Sequence, residues 1–144
     1  MRRTATLALL TILLAASALV AQQTRSNDHT EEKKAALQSA TAWLKLVDDE
    51  KYDASWQSAS KEFQSSVSQE KWSQMAQTAR SPLGALNSRQ PRDSTYTTSV
   101  PGAPDGQYVI LRFATSFANK KSATETVAMV LQNGQWQVSG YFIK

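Results

Sequence analysis

The chain has 144 residues, of which 41% are hydrophobic and 19% charged, and its formal charge at neutral pH is +4. This length suits one domain, and the composition excludes a disordered or low-complexity polymer. The chain has no cysteine and one histidine, which excludes disulfides, thiolate metal sites, a cysteine nucleophile and clusters of imidazole ligands. We predict neither a cofactor nor a metal site.

The first 21 residues have the layout of a secretory signal peptide. Arg2 and Arg3 form a basic start, and residues 5–21 follow without a charge, proline or glycine. Cleavage fits after Ala18 or after Ala21. The alternative is an uncleaved anchor, because the apolar stretch reaches the lower limit for spanning a bilayer. We expect an exported protein, periplasmic or secreted, with a signal peptide at 1–21, a flexible tail at 22–30 and a single domain at 31–144.

Without the leader, little excess of positive charge remains. No run of Lys and Arg is interleaved with aromatic residues in the rest of the chain, so we do not expect nucleic-acid binding. After cleavage, no membrane span is expected either. His29, at the end of the predicted tail, is interpreted as a solvated bystander and not as a metal ligand.

Three amphipathic helices are predicted next, over about 31–47, over about 53–65 and from Ser68 onward. Asp28 or Thr30 can cap the first helix, and the Ser68 hydroxyl can cap the third. The segment 80–84, Arg-Ser-Pro-Leu-Gly, ends the third helix. Apolar residues recur at three-to-four spacing, and those expected to face the core are Leu37, Trp43, Leu44, Val47, Trp56, Phe63, Trp72 and Met75.

Beyond Asn87 the apolar period changes to two, which predicts strands at 95–100, 107–117, 123–132 and 135–143. The segment 101–106 predicts a rigid turn, and Asn133-Gly134 favours a type I′ hairpin. The hairpin register pairs Met129 with Val138, Val127 with Gly140 and Glu125 with Phe142. The inward strand positions are then Val109, Leu111, Phe113, Val127, Met129, Leu131, Trp136, Val138 and Phe142. The predicted fold class is α+β, with three N-terminal helices packed on one face of a four-stranded antiparallel meander.

Several segments carry a resemblance to a known family. They are Arg80-Ser81-Pro82-Leu83-Gly84, Pro101-Gly102-Ala103-Pro104-Asp105-Gly106-Gln107-Tyr108, Trp43-Leu44, Ser55-Trp56, Glu125-Thr126 and Gly140-Tyr141, together with Asp48, Tyr52, Trp72, Arg89, Phe117 and Trp136. Over about residues 36–143, this combination resembles a bacterial family of exported domains of unknown function, number 4019. The resemblance implies export and a helix-then-sheet fold similar to the nuclear-transport-factor-two or cystatin-like cone. It implies no activity and no catalytic residues.

A cone of this kind can hold a small molecule at its mouth. Arg80 and Arg89 flank the Pro-Leu-Gly turn, and their guanidinium groups are suited to hold an anionic ligand bidentately. The alternative is that they join the third helix to the sheet by pairing with carboxylates, namely Asp48, Asp53 or Glu125. The acidic loop is assigned to capping and solvation; its members are Asp48, Asp49, Glu50 and Asp53. The candidate ligand-binding residues are Arg80, Arg89, Glu125 and Tyr52.

Three functions remain open at this point. The first is a non-enzymatic exported domain that binds a small ligand or an envelope protein, or supports an envelope assembly. The second is a small-pocket lyase or isomerase that uses Glu125 or Asp48 with Tyr52 and an arginine, for which a cavity must reach two ionisable groups. The third is a protein-binding module that acts through an exposed sheet edge at 95–100. Of the inward positions, only Glu125 is ionisable, which favours binding.

Overall fold

The computed structural model describes residues 28–144, so the predicted signal peptide and most of the predicted tail lie outside the described residues. Within these residues, four α-helices and a short 3₁₀ helix (Ser81–Leu83) precede four strands. The helices are α1 (Thr30–Asp48), α2 (Tyr52–Gln57), α3 (Lys61–Ser66) and α4 (Gln69–Arg80), and the strands are β1 (Leu86–Thr97), β2 (Tyr108–Phe117), β3 (Lys120–Gln132) and β4 (Gln135–Ile143). The strands form one antiparallel sheet in the order β1-β2-β3-β4. The predicted α+β class is confirmed.

The core lies between helix α1 and the sheet. Ala36, Ala40 and Leu44, four residues apart, are fully buried on one face of α1, and Trp43 and Val47 extend this face. Their partners on the sheet are the inward residues Val109, Leu111, Phe113, Val127, Met129 and Val138. Removal of this apolar surface from water is the main source of stability for the fold. Within residues 28–144, no helix combines the length and apolar character that a bilayer crossing requires.

The predicted second helix, at 53–65, is two helices in the structure. Ser60 separates α2 from α3, and its hydroxyl accepts a hydrogen bond from the N–H of Phe63 at 3.2 Å. The N–H of Ser60 donates to the carbonyl of Val138 in β4 at 2.9 Å. The helix is broken here because Ser60 both caps α3 with its side chain and donates a backbone hydrogen bond to the edge strand β4. Helical periodicity in the sequence does not reveal such an arrangement.

Helix α1 begins differently from the prediction. Its N-cap position is His29, with φ 53°, while the carboxylate of Asp28 accepts a hydrogen bond from the N–H of Thr30 at 2.9 Å. The imidazole of His29 stacks on the ring of Tyr96, with 3.6 Å between centroids. The interpretation of His29 as a solvated bystander is therefore wrong, since its ring connects the start of α1 to β1.

Strand β1 begins nine residues before the predicted start, at Leu86, and ends at Thr97. It lies at one edge of the sheet. Its register against β2 shifts twice, between Leu86 and Ser88 and between Pro91 and Asp93. These bulges interrupt the apolar alternation, and Pro91 lacks the N–H that a regular ladder uses, so the first part of β1 does not show the pattern of a strand.

The β3–β4 hairpin keeps the predicted register only near its turn. Met129 pairs with Val138 as expected, but Ser139 has no partner, so Val127 pairs with Tyr141 and not with Gly140. This bulge turns every later side chain of β4 to the opposite face. Phe142, predicted to face inward, is 62% exposed, and Glu125 pairs with Ile143.

The prediction that Met75 of α4 faces the core is also wrong. Met75 is 53% exposed, whereas Trp72, Ala76 and Arg80 are buried. These three residues follow each other at intervals of four, so the buried face of α4 passes beside Met75. The last member of the buried face is an arginine, which leads to the site below.

Candidate functional site

Two carboxylates and two guanidinium groups meet at one end of the interface between helices and sheet. Asp48 is the last residue of α1 and Arg80 the last residue of α4, whereas Arg89 comes from β1 and Glu125 from β3. Two hydroxyl groups join them, from β2 and β4. We name this group the buried ion-pair cluster; its members are Asp48, Arg80, Arg89, Thr115, Glu125 and Tyr141.

Arg89 is the centre of the cluster, because its guanidinium contacts both carboxylates. Its Nη1 and Nη2 donate to Asp48 Oδ2 and Oδ1 at 2.7 and 2.9 Å. Its Nε and Nη2 donate to Glu125 Oε2 and Oε1 at 2.6 and 3.1 Å. Each carboxylate is thus held by two hydrogen bonds in the fork geometry that arginine provides and lysine does not.

Arg80 and the two hydroxyl groups complete the cluster. Arg80 Nη2 donates to Asp48 Oδ1 at 2.6 Å, and its guanidinium carbon lies 4.9 Å from the ring centroid of Phe117. The hydroxyl of Tyr141 donates to Glu125 Oε1 at 2.5 Å, and that of Thr115 donates to Glu125 Oε2 at 2.6 Å. All four carboxylate oxygens therefore accept hydrogen bonds.

The cluster is buried and formally neutral. Glu125 is fully buried, Arg80 and Arg89 are 7% and 12% exposed, and Asp48 is 17% exposed. Single charges in such a place are costly, but two cations facing two anions with every carboxylate oxygen bonded remove most of that cost. The expectation of an interior without ionisable groups apart from Glu125 is therefore wrong.

The pKa values of Asp48, Arg89 and Tyr141 are displaced away from neutrality. Burial opposes the charged form of Asp48, but hydrogen bonds from Arg89 and Arg80 outweigh it and hold its pKa below the usual 3.8. For Arg89 burial acts against the charge, but the hydrogen bonds to Asp48 and Glu125 outweigh it and raise the pKa of the guanidinium further above its usual value. Burial, and then the charge of Glu125, raise the pKa of Tyr141, so its phenol stays a hydrogen-bond donor.

Helix geometry brings the two helical members together. Asp48 follows the buried series Ala36, Ala40 and Leu44 at the same interval of four residues. Arg80 follows Trp72 and Ala76 in the same way. Residues four apart share one face of a helix, so each helix places its last charged side chain against the sheet. The interval of four residues from Leu44 to Asp48 is visible in the sequence, so the prediction that Asp48 belongs to a solvated acidic loop overlooks it.

A pocket of about 360 Å³ opens beside the cluster. We name it the Tyr52 pocket; the side chains used below are Val47, Asp48, Glu50, Tyr52, Arg80, Ser81 and Leu86. Burial and the nearby charge of Glu50 raise the pKa of Tyr52. Asp48 and Arg80 belong both to the cluster and to the lining of the pocket, whereas Glu125 is not among the lining residues. Val47 and Leu86 provide apolar surface in the wall of the pocket.

The structure thus divides the candidate residues. Arg80, Arg89 and Glu125 lie in one cluster, and Arg80 also lines the pocket that contains Tyr52. The alternative pairing of the arginines with Asp48 and Glu125 is what the structure shows. Asp53 takes no part, since its carboxylate accepts a hydrogen bond from Ser73 at 2.7 Å. Tyr141 was missed, because the Ser139 bulge is what turns it inward.

Strand β1 lies at an edge of the sheet, but of the predicted edge 95–100 only residues 95–97 belong to it, and two features earlier in the strand limit pairing with another chain. Pro91 has no N–H to donate, and the register shift beside Arg92 interrupts the ladder. Both features are devices that discourage edge-to-edge pairing. Among residues 28–144, no group of three or more His, Asp or Glu side chains is arranged to hold a metal ion.

The fold and the site define a class: an α+β domain whose helices and meander sheet are joined by a buried ion-pair cluster beside a small open pocket. A family model described as a protein of unknown function (DUF4019) matches residues 39–141. The chain therefore belongs to this family. The matched range contains all six members of the cluster. No curated protein matches the chain.

Removal of one charge from the cluster should be costly. Glu125→Gln leaves the guanidinium of Arg89 buried with only Asp48 to neutralise it, so we expect the free energy of unfolding to fall by about 3–5 kcal/mol in urea denaturation. The matched control is Asp93→Asn, which breaks the exposed ion pair with Arg112 and should cost less than about 1 kcal/mol. Equal losses in the two variants would contradict the role assigned to the cluster.

The same cluster sets a dependence of stability on pH. Because the pKa of folded Asp48 lies below its usual 3.8, ionised Asp48 stabilises the fold above pH about 4, and this contribution is lost as the pH falls through the folded value. The free energy of unfolding should decrease on acidification in this range. In Asp48→Asn the decrease should be shallower, whatever the stability at neutral pH. An unchanged slope would show that Asp48 is not the titrating group.

Proposed function

We propose that the protein is an exported, non-catalytic binding domain that holds a small ligand in the Tyr52 pocket. The observation that carries the proposal is that this pocket is open, while both oxygens of Asp48, the carboxylate it shares with the cluster, are held by Arg80 and Arg89. The directions of the pKa shifts agree with this geometry. The pKa of Asp48 is lowered and those of Tyr52 and Arg80 are raised. General acid–base catalysis works best with a group whose pKa lies near the operating pH, and these shifts move each group away from it.

The positions of the carboxylates support binding over the lyase or isomerase alternative. Glu125 is fully buried, and both of its oxygens accept hydrogen bonds from Arg89, Thr115 or Tyr141. Asp48 does line the pocket with Tyr52, but two arginines hold its oxygens. Neither carboxylate is free to accept a proton from a substrate without the loss of a buried ion pair.

The charge of the pocket indicates its ligand. The lining of the pocket contains two carboxylates, Asp48 and Glu50, and one cation, Arg80. The formal charge of the pocket is therefore −1. An anionic ligand would meet Glu50 and would have to displace Asp48 from the guanidinium group. A small neutral or cationic molecule with polar groups for Tyr52 and Ser81 fits better, with its apolar part against Val47 and Leu86.

A fragment screen by NMR tests the binding proposal. Neutral and cationic polar fragments should shift the amide signals of residues 50–52 and 84–86. Leu86→Trp should fill the pocket and abolish these shifts. The matched control is Met75→Trp, which places the same ring on an exposed position of α4 outside the pocket and should leave binding intact. Binding that survives Leu86→Trp, or fragments that shift only distant amides, would refute the pocket as the site.

Export is the second part of the proposal, and the basic start and uncharged stretch of the first 21 residues support it. Protein recovered from the periplasm or the medium should begin at Leu19 or Gln22 on N-terminal sequencing, after removal of the leader. A protein that keeps Met1 and Arg2 and stays in the membrane fraction would instead identify an uncleaved anchor.

A further inference from the structure

A second concavity lies between the first turns of α1 and the irregular part of β1. Its volume is about 250 Å³. We name it the basic groove; its basic and apolar lining residues are Lys33, Lys34, Leu37, Pro91, Arg92 and Leu111. It shares no residue with the Tyr52 pocket, so it is a separate feature of the surface.

The bulge in β1 shapes this groove. The register between β1 and β2 shifts between Pro91 and Asp93, which leaves Arg92 as the extra residue. An extra residue bends the strand and redirects its side chain. Beyond the bulge, the small side chain of Ser94 pairs with Leu111. A larger residue here would fill part of the space under α1, so the sequence leaves the groove open.

The groove carries an excess of positive charge. Lys33, Lys34 and Arg92 contribute three cations, and Asp93 is the one carboxylate among its lining residues. Asp93 is already engaged, since its Oδ1 accepts a hydrogen bond from Arg112 Nε at 2.8 Å. In the described part of the chain, no ion pair includes Lys33, Lys34 or Arg92. The three cations therefore lack the compensation that Arg80 and Arg89 receive.

The floor of the groove is apolar. Leu111, which is 2% exposed, belongs to the core at the bottom of the groove, and the half-buried Leu37, which packs against that core, provides accessible apolar surface beside it. The ring of Pro91 adds a third apolar surface. Cations around a hydrocarbon floor complement a molecule with both characters, since the charges attract an anionic group and the floor accepts a short hydrocarbon body.

We propose that the basic groove binds a small amphipathic anion: a carboxylate, sulfonate or phosphate group on a short hydrocarbon body. This proposal does not depend on the Tyr52 pocket. The two concavities differ in the sign of their charge, which is −1 for the pocket and positive for the groove, so one ligand does not suit both.

The test uses sodium octanoate as the probe and the ¹⁵N-labelled protein. Octanoate should shift the amide signals of residues 33–37 and 92–94 saturably, and octylammonium, with the same hydrocarbon body and the opposite charge, should not. The double variant Lys34→Glu/Arg92→Glu should bind octanoate about tenfold more weakly or worse, because two attractive charges become repulsive. Added salt should weaken the binding of the unmodified protein.

The matched control is Lys71→Glu/Lys121→Glu, which makes the same change of charge on two exposed residues outside the groove. It should bind octanoate like the unmodified protein, as should Leu86→Trp, whose change lies in the Tyr52 pocket. Circular dichroism checks that each variant is folded, and Lys34→Gln replaces the double variant if that one is not. The proposal is overturned if octanoate does not bind saturably, if octylammonium binds equally well, or if the control loses as much affinity as the groove variant.

Discussion

The structure depends on the neutralisation of four charges at the end of the core. Asp48 stands at the C-terminal end of α1, where the helix dipole disfavours an acid, and Glu125 is fully buried on β3. Neither position is tolerable for a lone carboxylate. Arg89 neutralises both carboxylates, because its planar guanidinium group donates hydrogen bonds to Asp48 and to Glu125 at the same time. The helical layer and the sheet are thereby fixed in orientation as well as in contact.

Buried ion pairs contribute less to stability than to the choice of one arrangement over others. The apolar contacts between α1 and the sheet would tolerate small shifts of the helix, since hydrophobic attraction has no direction. The bidentate bonds of Arg89 do not tolerate them. The walls of the Tyr52 pocket are built on the ends of α1 and α4, so the cluster also determines the shape of that pocket.

The sequence predicted the class of fold because each element repeats its own period. The stripe of α1 and the alternation of β2 and β3 are regular, and the structure confirms them. The prediction failed where one residue interrupts the period. Ser60 divides one helix into two, the bulges of β1 hide half a strand, and Ser139 reverses the last residues of β4. Such interruptions depend on contacts with distant segments, as the bond from Ser60 to Val138 shows.

The candidate site was predicted in part. Arg80, Arg89 and Glu125 were selected from the sequence, and the structure brings them together. Asp48 was named as one possible partner, although its own place on the buried face of α1 was overlooked. Tyr141 was not selected as a site residue, because the register of a hairpin beyond a bulge is not fixed by its turn. The small residues Ser139 and Gly140 were the available signal, since glycine inside a strand often marks a bulge.

The order of the cluster along the chain has a consequence for how the molecule matures. Its members extend from Asp48 at the end of α1 to Tyr141 in β4, the last strand of the sheet. The hydroxyl that completes the environment of Glu125 is therefore synthesised after every other member of the cluster. Contacts between such remote positions form slowly, and β4 supplies a hydrogen bond to Glu125, another to Ser60 and a ring that packs on Trp43. Premature termination just before this strand would remove these contacts with the helices and the cluster, and not merely shorten the sheet.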